Sequence, residues 1–336
     1  MTKNSRATIS DVARMAGVSK GTVSRVLKGT YPASQETVDA VHRAVEELGY
    51  VASVRARALA VGRADAIAVV LSEPFDYLFE DPTFAAIMKG IFDAMSGTAF
   101  VPVVLQMSTA VEQKKALHLI SNQAVDGVIH LSPWSDEGLL DALVKHPVPV
   151  VLCGQTRNQT HAREFSVVYA DDHNGARVAA QHLVDVGVQA PIAILGDSTQ
   201  PAAIDRLQGY REIFGDRLDD SRIVFGGWSE YDGAIGLNTI MSRGVKFDGV
   251  LAGSDRIARG VLGVLRGLHK SVPQDVKIVG FDDHELASAF APQLTTIAQP
   301  MHYQGERAFS LALDMISGTG PTTEVLETEL KIRETT

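Results

Sequence analysis

A chain of 336 residues with 45% hydrophobic and 21% charged residues can bury a large core and is longer than one domain of ordinary size. The formal charge is −9, and a single cysteine, Cys153, excludes an intramolecular disulfide and any multi-cysteine metal site. The opening MTKNSRATISD has no apolar signal region and runs such as 66–71 and 148–153 are too short to span a bilayer, so cytosolic residence is expected.

The charge is unevenly spread. Residues 1–63 hold ten Lys/Arg against five Asp/Glu, net +5, so residues 64–336 carry −14. A basic head on an acidic body is the footprint of a module that neutralises phosphates. Within the head, Thr8-Ile9-Ser10-Asp11 fits a capping box. The helix it opens turns Val12, Ala13 and Ala16 to one side and stops at Gly17, which tolerates a left-handed turn. Ser19 caps a second helix with Val23, Val26 and Leu27 facing inward, and Gly29 ends it. Two short helices around a tight Gly-Val-Ser turn make a helix-turn-helix; a plain pair of core helices is the alternative, and the local charge argues against it. Ser34 caps a third helix, in which Val38, Val41, Val45 and Leu48 recur at helical spacing before Gly49. The exposed start of the second helix would point into a major groove. Ser19, Lys20, Gly21, Thr22, Ser24 and Arg25 are therefore candidate DNA contacts, together with Thr8 at the first cap.

The segment DVARMAGVSKGTVSRVLKG, followed by ETVDAVHRAVEELGYVASVRARALA, closely resembles the headpiece of lactose-repressor-type (LacI family) transcription regulators. The resemblance implies that Lys20 and Gly21 stand at a base-reading pair and Arg25 at a groove-contacting position. Gly21 has no side chain with which to read a base, so Lys20 and Arg25 would carry more of the discrimination. Residues 53–60 (SVRARALA) are basic and too short to hold a helix alone in water. Here the resemblance implies a hinge helix that forms on the operator. Paired copies would enter the minor groove, with Leu59 as the wedge, Ala56 one turn earlier, and Arg55 and Arg57 reaching phosphates or the groove edge. A merely flexible linker is the alternative, and Ala52 departs from the proline often found there.

From Ala66 onward, short β-branched runs at 66–71, 100–105, 126–131, 148–153, 165–170, 191–196, 248–252 and 276–281 alternate with amphipathic stretches. The helical patterns lie near 82–95, 110–122, 135–145, 173–186, 204–215, 230–243, 255–269 and 301–316. Such alternation means parallel sheets covered by helices, and so many units exceed one sheet. The expected fold is an N-terminal all-α helix-turn-helix headpiece plus an α/β effector domain of two Rossmann-like lobes. The resemblance implies a periplasmic-binding-protein-like arrangement with crossovers near 169–170, 298–299 and 328. The expected division is a headpiece at 1–49, a hinge linker at 50–63, and an effector and dimerisation domain at 64–336. Its N-lobe would take about 64–169 and 299–328, its C-lobe about 170–298 and 329–336.

Ligands of open parallel sheets sit beyond the carboxyl ends of the strands. Polar and aromatic residues between those runs and the helical stretches that follow include Ser72, Glu73, Phe75, Asp81, Phe84, Gly154, Gln155, Arg157, Asp171, Asp172, Ser254 and Asp282, while Arg206 opens RLQGY and Trp228 lies in GGWSE. By resemblance, Arg206, Trp228, Ser254 and Asp282 fall on effector-contacting positions: Arg206 as a charged clamp, Trp228 as a stacking face, Asp282 as an acceptor for hydroxyls. That mixture suits a sugar. Phe75, Asp81, Phe84, Gly154, Gln155 and Asp171 complete the candidate effector set. A cap or solvated loop is the plainer reading of each, and Asp255 could cap the helix over 255–269.

No dinucleotide fingerprint, P-loop, nucleophile elbow or HExxH is present, and adjacent pairs such as Asp171-Asp172 diverge in direction, so neither enzyme activity, nor a cofactor, nor a metal is expected. The chain reads as a transcription repressor whose affinity for a pseudo-palindromic double-stranded DNA operator is set by a small effector, a sugar, bound between two lobes of a homodimer subunit. The alternatives are a cytosolic small-molecule-binding protein, or an enzyme on a doubly wound fold, with no DNA role.

Overall fold

The structure is a computed structural model that describes residues 7–27, 34–50, 63–135, 137–156 and 163–336. It divides into two compact units, Met1–Ala64 and Asp65–Thr336.

In the first unit, helices α1 (Ile9–Met15), α2 (Lys20–Leu27) and α3 (Gln35–Leu48) close around Val12, Ala13, Val23, Val26, Val41 and Ala44. Asp11 accepts from the backbone N–H (3.0 Å) and the hydroxyl (2.7 Å) of Thr8, closing the capping box that starts α1. Gly17 lies at φ +67° and lets the chain turn sharply into α2. Leu27, expected to face inward, is 37% exposed: the three-helix core is small, and Val23 and Val26 already fill the side that α2 presents to it. Gly29, the expected end of α2, lies outside the described residues.

The second unit opens with β1 (Ala66–Leu71), α4 (Phe75–Glu80), α5 (Pro82–Met95), β2 (Val101–Gln106), α6 (Ala110–Ser121), β3 (Gly127–Leu131), α7 (Glu137–Leu143), β4 (Val150–Cys153) and β5 (Ser166–Ala170). There follow α8 (Asp172–Asp185), β6 (Pro191–Leu195), α9 (Pro201–Phe214), β7 (Ile223–Phe225), α10 (Glu230–Ser242), β8 (Gly249–Ala252), α11 (Asp255–Gly267), β9 (Lys277–Asp282), α12 (Glu285–Ala289) and β10 (Thr295–Ala298). The chain closes with α13 (Met301–Ile316), β11 (Thr323–Leu326) and β12 (Glu329–Lys331).

Two six-stranded sheets result, ordered β11-β5-β4-β3-β1-β2 and β12-β10-β9-β8-β6-β7. The chain passes from the first sheet to the second after Ala170, returns after Ala298, and leaves again after Leu326. Among the described residues every strand pair is parallel except β10 with β12. Leaving out the last-added edge strands, both sheets run 2-1-3-4-5, which puts a topological switch point between β1 and β3 in one lobe and between β6 and β8 in the other. Ligands of such sheets collect at the carboxyl ends flanking that point.

Burial on both faces explains the continuous apolar runs. Ile192 and Ile194 of β6 pack with α10 and α11, while Ala193 and Leu195 pack with α8 and α9. Helix pairs approach closely where glycines face each other. A Cβ on Gly90 of α5 would stand 1.9 Å from the His302 carbonyl oxygen, and one on Gly305 of α13 would stand 2.1 Å from that of Ile87. Gly233 and Gly260 play the same part between α10 and α11. The sequence reading missed β7, β10, β11 and β12. They are three or four residues long, and the edge strand β11 (TEVL) has no fully buried side chain, so neither an apolar run nor a clean alternation marks it.

Candidate functional site

In the head, Ser19 caps α2 by accepting from the Thr22 N–H at 3.1 Å, which fixes the helix start. Ser19, Lys20, Gly21 and Arg25 are exposed there, Thr22 and Ser24 partly so. Arg25 lies back along the helix, its Nε donating to the Gly21 carbonyl at 3.1 Å. A Cβ on Gly21 would meet no atom closer than 3.7 Å, so longer side chains fit at that position. Arg55, Ala56, Arg57 and Leu59 lie outside the described residues.

In the body, a cleft partly open to solvent runs between the carboxyl ends of the two sheets. Of the expected effector residues, Asp81, Phe84, Gly154, Gln155, Arg206, Trp228, Ser254 and Asp282 line it. Phe75 opens α4, and its side chain lies outside the described residues. Asp171 does not line the cleft. It is the N-cap of α8, and its carboxylate turns back to accept from the Asn174 N–H at 2.9 Å. The cleft takes its neighbour Asp172 instead, which the same stretch of sequence had offered. Asp255 is likewise not the cap of α11. Ser254 is, accepting from the Ile257 N–H at 3.1 Å. The Asp255 carboxylate is buried and accepts from the His284 N–H (2.9 Å) and the Thr296 hydroxyl (2.6 Å).

The electrostatic centre is Arg206, 4% exposed. Its Nε and Nη2 both lie 2.7 Å from Asp172 Oδ1, Nη2 lies 3.6 Å from Asp282 Oδ1, and Nη1 donates to the Gly253 carbonyl. The guanidinium carbon sits 3.7 Å from the Phe281 ring centre and 5.2 Å from that of Trp228. Burial opposes its charge, but Asp172 and Asp282 outweigh that and hold its pKa above the ordinary value. Burial pushes the Asp172 carboxyl up to about 6 against the pull of Arg206. Asp282 is raised for the same first reason, with His284 and Arg206 pulling it down. Asp282 also adopts φ +114°, an uncommon conformation for a side-chain-bearing residue, and accepts from Gln299 Nε2 at 2.6 Å.

Two indoles border the same cleft. Trp228 lies flat on Gly196, where an added Cβ would come within 2.0 Å of the ring, and its N–H donates to Gln200. Trp134 was not singled out from the sequence, although it stands just beyond β3 and the rule that found the other residues applies to it equally. Tyr77 of α4, Gln200 at the N-cap of α9 and Gln299 on the return crossover also line the cleft, where only folding brings them together. The lobes are bridged at its borders by Gln155 Nε2 to Asp205 Oδ2 (2.9 Å) and Arg256 Nη1 to Asp81 Oδ2 (3.3 Å). Among the described residues no cluster of three or more His, Cys, Asp or Glu could hold a metal ion, and no helix is long and apolar enough to cross a membrane.

A helix-turn-helix unit and a two-lobed unit with a polar, aromatic cleft define a ligand-responsive regulator. Residues 8–53 match the family of bacterial regulatory proteins, lacI family, and residues 180–336 match the periplasmic binding protein-like domain. The chain is 35% identical to the HTH-type transcriptional regulator CelR of Thermobifida fusca over 339 residues, covering 99% of each. A solved CelR–cellobiose complex superposes with a TM-score of 0.77 at 34% identity, covering 98% of this chain and 100% of that one. The lac repressor dimer bound to operator and the anti-inducer ONPF superposes with a TM-score of 0.84 at 26% identity, covering 98% of both. The chain belongs to the lacI family of bacterial regulatory proteins: it is a DNA-binding transcription regulator and not an enzyme.

Proposed function

We propose that the protein is a cytosolic homodimeric repressor whose grip on a pseudo-palindromic operator is set by a carbohydrate held between its lobes. The division would be a headpiece at 1–49, a linker at 50–63 that carries the signal, and an effector and dimerisation domain at 64–336. Lys20, Gly21, Thr22, Ser24 and Arg25 would face base edges, with Thr8 and Ser19 on phosphates, because the amino end of α2 is exposed and the unit is basic. Arg55, Ala56 and Leu59 would serve in the minor groove.

The observation that carries the effector reading is the meeting of Arg206, Asp172 and Asp282 with Trp228 in one cleft. Carboxylate and guanidinium can pair with hydroxyls while the indole takes the C–H face of a ring, which neutral polyols with an apolar side require. Asp81, Phe84, Gly154, Gln155 and Ser254 would complete the contacts, and Phe75 would stand at the margin. CelR, which was solved with cellobiose, makes that disaccharide the first ligand to try.

The test is thermal unfolding of the full chain with a panel of sugars, followed by gel shifts with promoter fragments. A matching sugar at a hundred times its Kd should stabilise the protein by about 2.7 kcal/mol and raise Tm by several degrees. The same sugar should change operator affinity and leave binding to random duplex alone. No response to any carbohydrate would remove the effector assignment. Leu59→Ala should weaken operator binding much more than random-duplex binding, and an equal loss in both would rule out the wedge.

A further inference from the structure

Both tryptophans of the chain line the cleft, one from each lobe. Trp134 lies in the turn Pro133–Ser135 that follows β3, and its partner Glu73 follows β1. Trp228 lies on Gly196, which follows β6, and its carbonyl accepts from Ser254, which follows β8, at 3.3 Å. Trp228, although it follows the edge strand β7, thus reaches the switch point between β6 and β8, as Trp134, after β3, stands at that between β1 and β3. Each has its N–H tied back within its own lobe. Trp134 Nε1 donates to Glu73 Oε1 at 3.0 Å, and Trp228 Nε1 donates to Gln200 Oε1. Glu73 is itself held, its carbonyl accepting from Gln106 Nε2 at 2.7 Å.

With its polar handle used, each ring has only apolar surface to offer a ligand, and Trp228, one side of which is covered by Gly196, offers the part that borders the cleft beside Arg206. The Arg206–Asp172–Asp282 cluster belongs wholly to the second lobe, so one sugar unit can be fixed there by its hydroxyls while lying on Trp228. Trp134 adds a second face in the other lobe, across the same cleft.

We propose that the effector is an oligosaccharide of at least two pyranose units with equatorial hydroxyls, one unit carried by each indole. Trp134 is the residue that determines this length preference, and Glu73 is the positioning residue that holds its ring in place. Equatorial hydroxyls matter because they leave both ring faces as flat C–H surfaces. This inference rests on the carbohydrate reading of the cleft.

The experiment titrates the full chain calorimetrically with glucose and cellobiose, and with xylose and xylobiose. In the pair that binds, the disaccharide should bind more tightly than its monosaccharide. Trp134→Ala should lower disaccharide affinity about tenfold, as loss of a stacked ring predicts, and monosaccharide affinity less than about twofold. Glu73→Leu should lose the same selectivity, and Glu73→Gln, whose amide oxygen still accepts the indole N–H, should keep it. Trp228→Phe leaves Trp134 as the sole tryptophan; at saturation its emission should shift with the disaccharide and not with the monosaccharide. Equal affinity for both members of a pair, equal losses in Trp134→Ala, or an unmoved Trp134 emission overturns this proposal alone. A wild-type chain that binds no sugar of any kind overturns the carbohydrate reading and this proposal with it.

Discussion

Arg206→Ala is expected to abolish the effector response and to cost roughly 3–5 kcal/mol of stability, the usual result of stripping one partner from a buried ion pair. The side chain is 4% exposed, bonds Asp172 at 2.7 Å and stands 3.6 Å from Asp282, so its loss strips buried Asp172 of its cation and removes one of the positive groups beside Asp282. The pH dependence gives a second reading. Asp172 titrates near 6 in the fold against an ordinary 3.8, so the folded chain binds that proton more tightly than the unfolded one. Its contribution to stability therefore falls as pH rises from about 4 to 6 and is flat above. Without Arg206 the carboxyl moves higher still, and the fall must extend above pH 6. Urea unfolding at pH 5 and pH 8 should accordingly show a smaller difference between wild type and variant at pH 5. A pH-independent difference would mean that Asp172 is not the group left stranded. In gel shifts the variant should hold its operator with nearly wild-type affinity and ignore every sugar.

Gly90→Val is expected to lower stability by about 3 kcal/mol or more, at the upper end for overpacked cores. At 1.9 Å from a backbone carbonyl oxygen of α13, an added Cβ has no flexible neighbour to displace, so two helices must part and the core around Ile87, Ile91 and Phe309 must open with them. Gly263→Ala is the contrast. This glycine is helical, exposed and free of neighbours within 4 Å, so alanine should be neutral or stabilise by up to ~1 kcal/mol through helix propensity. Equal urea midpoints for the two variants would show that close helix approach does not hold the first lobe together.

Much of this protein could be read along the chain because the relevant signals are local. The capping box at Thr8, the glycine turn at Gly17, the basic head and the alternation of apolar runs with helical patterns each lie within a few residues of one another. Such features follow from backbone geometry and side-chain chemistry before any distant contact forms. A resemblance that is close over the head and linker and extends more loosely over the rest of the chain supplied what periodicity could not, the effector-contacting positions of Arg206, Trp228, Ser254 and Asp282, and all four line the cleft.

Tertiary structure decided the rest. At residues 171 and 172 the sequence offers two equivalent carboxylates; Asp171 is taken up by the helix N-terminus, leaving Asp172 to meet Arg206, 34 residues away. Trp134 is absent from the candidates read along the chain, and its place in the site comes from Glu73, 61 residues earlier, which takes its N–H at the carboxyl end of the same sheet. Composition and periodicity determine which elements form and which faces they bury. Which of several similar polar groups faces a ligand depends on hydrogen bonds between strand ends far apart in the chain, and those exist only once the sheets have assembled.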